Sequence, residues 1–223
     1  MSSNAAALLC NSPRRIAVIG IVGGIGSGKS AVTKWVAERT RALVLDADKL
    51  GHEALHTTVV KQALCERFGP AILGTDGEIA RATLAREVFG TDDVHLQARR
   101  DLEQIVHPEI SRRISESIAS AASRNEEIVL LDAAVLLEAG WRNKCDLVVF
   151  VDTPDDVRLA RVCEHRGWTE QELRRRESSQ WPLADKRREA DLIIENAAGI
   201  DVAGNQLLQT LQSRGLIKCE PTL

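Results

Sequence analysis

The chain has 223 residues, of which 44% are hydrophobic and 27% charged, with a formal net charge of −3. That usage fits one globular core with room for an insertion, and it excludes a disordered chain, a membrane-length apolar run and the cationic footprint of a general nucleic-acid binder. Five scattered cysteines (Cys10, Cys65, Cys145, Cys163, Cys219) include no C-x-x-C pair, which suits a reducing compartment, so the expected location is the cytoplasm.

In chain order, residues 1–13 hold a short apolar stretch, Ala5 to Cys10, with no basic residue before it, and a disordered tail is expected there. Apolar runs then recur at Arg15–Val22, Ala42–Leu45, Ile128–Leu131, Leu147–Val151 and Leu192–Ile194. Each is short and apolar on consecutive positions, as strands buried on both faces are, and together they predict five parallel strands. Helical spacing over Ser30–Arg39, Val94–Val106, Glu109–Ser123, Asp155–Glu164 and Val202–Ser213 completes a βαβ alternation with right-handed crossovers. The alternation breaks twice. Residues 49–124 read as an inserted helical lobe with a Gly-rich interruption at Phe68–Gly77, and residues 161–188 as a polar, Arg-rich helical lid. The core is left to residues 14–48, 125–160 and 189–223.

Gly23-Gly24-Ile25-Gly26-Ser27-Gly28-Lys29-Ser30 fits G-x-x-x-x-G-K-[ST] between a predicted strand and a predicted helix. In that pattern the backbone N–H groups of Gly24 through Ala31 close on phosphates. Lys29 reaches the β/γ oxygens and the Ser30 hydroxyl ligates Mg²⁺. The fold class is therefore α/β, a P-loop NTPase with three layers, α/β/α, around a five-stranded parallel sheet. Asp132, ending the third strand, occupies the place where a Walker B carboxylate would hold Mg²⁺ through water.

Two other motifs name rival functions. Asn143-Lys144-Cys145-Asp146 spells the guanine-reading N-K-x-D of nucleotide switches, but it precedes a strand instead of following one, and no D-x-x-G stands in a strand-end position between it and the P-loop. His52-Glu53-Ala54-Leu55-His56 spells the zinc-peptidase H-E-x-x-H, without a third histidine downstream at the matching spacing.

On the acceptor side, Asp46-Ala47-Asp48 ends the second strand beside the P-loop. Phosphoryl transfer to a hydroxyl needs a carboxylate to orient it and take its proton, and Asp48 is the choice; the alternative is that Asp48 only caps the next helix. Arg161, Arg166 and Arg176 can neutralise charge on the transferring phosphoryl group from a closing lid, or form a solvated basic face. Arg166 is taken as catalytic. His107, before Pro108, is read first as a helix-terminus residue, and His107 and Arg81 are the candidate acceptor contacts in the lobe.

The combination of G-G-I-G-S-G-K-S, D-A-D, Phe68-Gly69, Asp76-Gly77, His107-Pro108 and Gln180…Lys186…Ala190-Asp191…Asn196 resembles the dephospho-coenzyme A kinase family over nearly the whole chain from Arg15. The resemblance implies transfer of the γ-phosphoryl of ATP to the ribose 3′-hydroxyl of dephospho-CoA, with Mg²⁺, Asp48 as base and the inserted lobe holding the acceptor. It implies no nucleic-acid or membrane partner. The chain departs from the family pattern at Ala134, where the family carries proline, and at His165-Arg166, where the family arginine falls one residue earlier. Another P-loop kinase of small metabolites is the alternative on the same scaffold.

Overall fold

The computed structural model of the protein describes residues 15–90 and 92–218, and the expected tail, residues 1–13, lies outside them. The strands are β1 (Ala17–Gly23), β2 (Ala42–Asp46), β3 (Ile128–Asp132), β4 (Leu147–Asp152) and β5 (Leu192–Glu195). They form one sheet in the order β2-β3-β1-β4-β5, parallel at every pairing, with Ala17 opposite Ile128 and Ile19 opposite Leu147. The five apolar runs coincide with the five strands. All residues of β3 are buried, so its sequence IVLLD shows no alternation: it is covered on both faces.

The helices are α1 (Lys29–Ala37), α2 (Ala47–Ala54), α3 (Thr58–Phe68), α4 (Arg81–Val88), α5 (Asp93–Ala121), α6 (Asp155–Arg166), α7 (Glu170–Glu177), α8 (Leu183–Arg188) and α9 (Ile200–Ser213). Because successive strand side chains point to opposite faces, the core divides in two. Ile19, Ile21, Leu130 and Val149 pack with Val32 and Val36 of α1 and Leu207 and Leu211 of α9. On the other face Val18, Val22, Leu131 and Phe150 share a cluster with Ile110 and Ile114 of α5. Three layers result.

Among the described residues, the segment between β2 and β3 holds only helices, apart from 3₁₀ turns at Pro70–Ile72 and Ala122–Arg124 and a small antiparallel bridge between Leu73 and Ile79. This is where the sequence places the Gly-rich interruption. One expectation is corrected: in place of two helices broken at His107-Pro108 there is one helix of 29 residues with Pro108 inside it. A proline in a helix interior costs about 3 kcal/mol through a missing hydrogen bond and a clash with the preceding turn. The same helix buries Val106, Ile110 and Ile114 at successive four-residue steps. At roughly 1.5–3 kcal/mol per buried aliphatic side chain that stripe outweighs the proline. His107 is consequently a mid-helix residue, half-buried edge-on to Trp141 with ring centroids 5.5 Å apart. Among the described residues no helix is long and apolar enough to cross a membrane.

Candidate active site

β1 delivers the chain into the loop Gly24–Gly28, and α1 begins at Lys29. Gly28 takes φ 83° and its Cα faces the Asn196 amide, so a side chain there would suffer both strain and collision. Two loop carbonyls are held from behind. The Ser27 oxygen accepts from Asn196 Nδ2 at 2.8 Å, Thr153 Oγ1 at 3.0 Å and Arg161 Nη1 at 3.3 Å. The Ile25 oxygen accepts from Arg158 Nη1 at 3.1 Å. In a trans peptide C=O and N–H point oppositely, so anchoring these carbonyls turns the Gly28 and Gly26 amides the other way. Together with the free N–H groups at the start of α1 they make an anion cradle.

The cradle opens on a cleft of about 760 Å³. Gly24, Gly26, Ser27, Gly28, Lys29, Ser30, Ala31, Asp48, Arg161, Arg166 and Arg176 all line it. Beneath them Asp132 Oδ1 takes the Lys29 ammonium at 2.7 Å, and Ser30 Oγ lies 3.3 Å from the same nitrogen. Asp48 stands exposed in the first turn of α2. Capping falls to Asp46, whose Oδ1 accepts the Lys49 N–H at 3.0 Å, so Asp48 is left facing the cleft.

Opposite, Trp168 has the Arg166 guanidinium 4.8 Å and that of Arg176 4.2 Å from its ring centre. Arg161 is differently engaged: besides Ser27 it donates to the Asn196 carbonyl at 2.9 Å, so it braces the loop. Arg81 and His107 do not line this cleft. Arg81 Nη2 sits 2.8 Å from His52 Nε2, and His107 borders a separate cavity of about 530 Å³ with Trp141 and Lys144. Burial holds the His107 imidazole below its ordinary pKa, with the Glu103 charge opposing.

The family model for dephospho-CoA kinase matches residues 17–201. The chain belongs to the dephospho-CoA kinase family. It is 35% identical over 195 residues to the dephospho-CoA kinase of Geobacillus kaustophilus, covering 87% of this chain and 94% of that one. With the Parasynechococcus marenigrum dephospho-CoA kinase it shares 37% identity over 199 residues, 89% of this chain and 94% of the other. Among solved structures, TT1252 from Thermus thermophilus superposes with a TM-score of 0.75 at 30% identity, over 90% of this chain and 98% of that one.

As a member of the dephospho-CoA kinase family the protein is an ATP-dependent kinase, and both rival motifs have structural explanations. α2 ends at Ala54, His52 meets Arg81, and His56 Nδ1 pairs with Glu78 Oε2 at 2.7 Å, so the two imidazoles do not converge. Among the described residues no group of three His, Cys, Asp or Glu side chains could hold a metal ion. Asn143 and Lys144 lie in a 3₁₀ turn before β4. Asp146 accepts the Val18 N–H at 2.9 Å and Arg15 at 2.6 Å, at the strand edge away from the loop.

Several cleft residues carry no signal of their own in the sequence. Phe89, 58% exposed, and Arg99 of α5 line the same cleft. Arg99 Nη2 also donates to the Ser179 carbonyl at 2.9 Å, joining α5 to the segment after α7. In an Arg-rich helix nothing distinguishes that arginine from its neighbours. Behind the cleft, Arg158 of α6 is 3% exposed, a degree of burial that a charge on a predicted helix does not suggest. Lys186 and Asn196 stand in the family pattern without a role that spacing could assign.

Proposed function

We propose that this protein transfers the γ-phosphoryl group of ATP to the ribose 3′-hydroxyl of dephospho-CoA, the last step of coenzyme A synthesis. The observation that carries the reading is one cleft shared by an anion cradle, an exposed carboxylate free of capping duty and a pair of arginines. Donor phosphates bind the amides of Gly24 through Ala31. Lys29, now resting on Asp132, turns to the β/γ oxygens, where its charge is worth more as phosphate charge develops.

Asp48 orients the acceptor hydroxyl and takes its proton as the new P–O bond forms and the bond to ADP breaks. Arg166 and Arg176 offset the charge on the equatorial oxygens. Residues 49–124 hold the acceptor and residues 161–188 act as the lid; Arg81 and His107 contact the acceptor only if the lobe moves. The oxygen donors at the cleft floor, Ser30 Oγ and Asp132, fit Mg²⁺, which prefers few carboxylates, water and substrate phosphates over an all-protein cage. Bound there, Mg²⁺ would screen the phosphate charge. The place of action is the cytoplasm.

Coupled ADP production against a panel of hydroxyl-bearing acceptors tests the reading. Turnover should rise steeply with dephospho-CoA and give a 3′-phosphorylated product. ATP hydrolysis indifferent to dephospho-CoA would overturn it.

A further inference from the structure

Lys186 is completely buried, and an ammonium has three N–H donors and no acceptor. All three are matched: to Ala134 O at 2.6 Å, Glu138 Oε1 at 2.8 Å and Gln180 Oε1 at 3.1 Å. Since the lysine can only donate, it selects which end of the Gln180 carboxamide it meets. The oxygen faces the protein, and the NH₂ is the end left over. Gln180 lines the cleft, and among the described residues its Nε2 has no protein partner.

The backbone on either side of Gln180 is fixed as well. Ser179 O is held by Arg99 at 2.9 Å, and the Trp181 N–H donates to Glu138 Oε1 at 2.9 Å, the same oxygen that Lys186 uses. One contact thus holds the Gln180 carboxamide and two more hold the backbone of its neighbours at the cleft wall. We infer that Gln180 binds substrate through Nε2, donating to an oxygen of the phosphoryl group in transit, and that Lys186 is the positioning residue that aims it.

The side of the cleft follows from the chain. The Lys186 ammonium that holds Gln180 also holds the carbonyl of Ala134, two residues beyond the Asp132 that takes the Lys29 ammonium. Gln180 therefore works on the Lys29 side, where the γ-phosphate of the proposed reaction sits. A preset N–H donor aimed at developing charge acts on the chemical step more than on ground-state binding.

The inference rests on the kinase reading, so wild-type enzyme is assayed first with dephospho-CoA; an inactive wild type would sink that reading, not this one. With active wild type, Gln180→Glu keeps an oxygen for Lys186 at nearly the same size but replaces the donor with a negative charge, and Gln180→Met removes the donor without adding charge. kcat should fall about tenfold or more, with the KM for ATP within about twofold and an unchanged Tm. Gln180→Met should match it. Wild-type kcat in Gln180→Glu overturns the proposal. Lys186→Met should cost activity alone but little more in the Gln180→Met background, a non-additivity that a merely structural lysine would not give; additive losses overturn the positioning role. Should Lys186→Met fail to fold, the two Gln180 variants decide the matter.

Discussion

The Lys29 ammonium and the Asp132 carboxylate touch at 2.7 Å, with side chains only 16% and 6% exposed, although one opens α1 and the other closes β3. The register that sets Ile21 beside Asp132 brings them together. Removing one member of a buried pair leaves an uncompensated charge at a cost of about 3 kcal/mol. Lys29→Met should therefore abolish phosphoryl transfer and also lower Tm by roughly 6–12 °C. Adding Asp132→Asn should recover most of the melting temperature and none of the activity. A Lys29→Met protein that melts like wild type would show that the pair carries no stability.

Asp48→Asn removes the proton acceptor and leaves the loop amides, Lys29 and Ser30 in place. kcat should drop about 10²- to 10⁴-fold while ATP binding, followed by titration calorimetry, stays near wild type. Near-normal turnover would remove Asp48 from the chemistry.

Trp168 holds Arg166 and Arg176 by its π-face. A cation–π contact at a partly exposed site contributes about 0.5–1 kcal/mol. In Trp168→Ala the two guanidinium groups lose their common platform, and kcat/KM for ATP should fall roughly three- to tenfold with little change in Tm. Trp168→Phe should retain much of the effect. Identical kinetics in the alanine variant would count against any role for the stack.

The strands were legible because continuous β-branched runs are what a doubly covered sheet requires, and the P-loop because its glycines and lysine have few other uses in that spacing. The long helix was not legible. Pro108 is a local signal, whereas the stripe Val106, Ile110, Ile114 only has value against a sheet whose strands lie far away in sequence. The same reasoning explains the arginines. Arg161, Arg166 and Arg176 look alike in the sequence, but Arg161 meets the Ser27 carbonyl while the other two stack on Trp168. Burial of Arg158 and Lys186 depends on partners supplied by Glu177, Asp155, Glu138 and Ala134, which no spacing rule gathers.

The half-buried His107 imidazole has a pKa below its ordinary 6.5. The unfolded chain thus binds a proton at a higher pH than the folded one, and stability falls as pH drops below about 6.5. His107→Phe keeps an aromatic ring against Trp141 and removes the titration. The drop in Tm between pH 7.5 and 5.5 should be smaller in His107→Phe than in wild type, and an equal drop would refute the assignment.

Burial pushes the Cys145 thiol up to about 11, whereas Cys163 is exposed on α6. At pH 7.5 iodoacetamide should modify Cys163 and leave Cys145 unmodified until denaturant is added, as read by peptide mass spectrometry. Equal early labelling of the two would contradict the buried environment.

The hydrogen bond from Arg99 to the Ser179 carbonyl gives the cleft a single hinge-pin in place of two separate jaws. A nucleotide that pulled one wall inward would drag the other with it, and any coupling this produced between the two seats would have the same size in both directions.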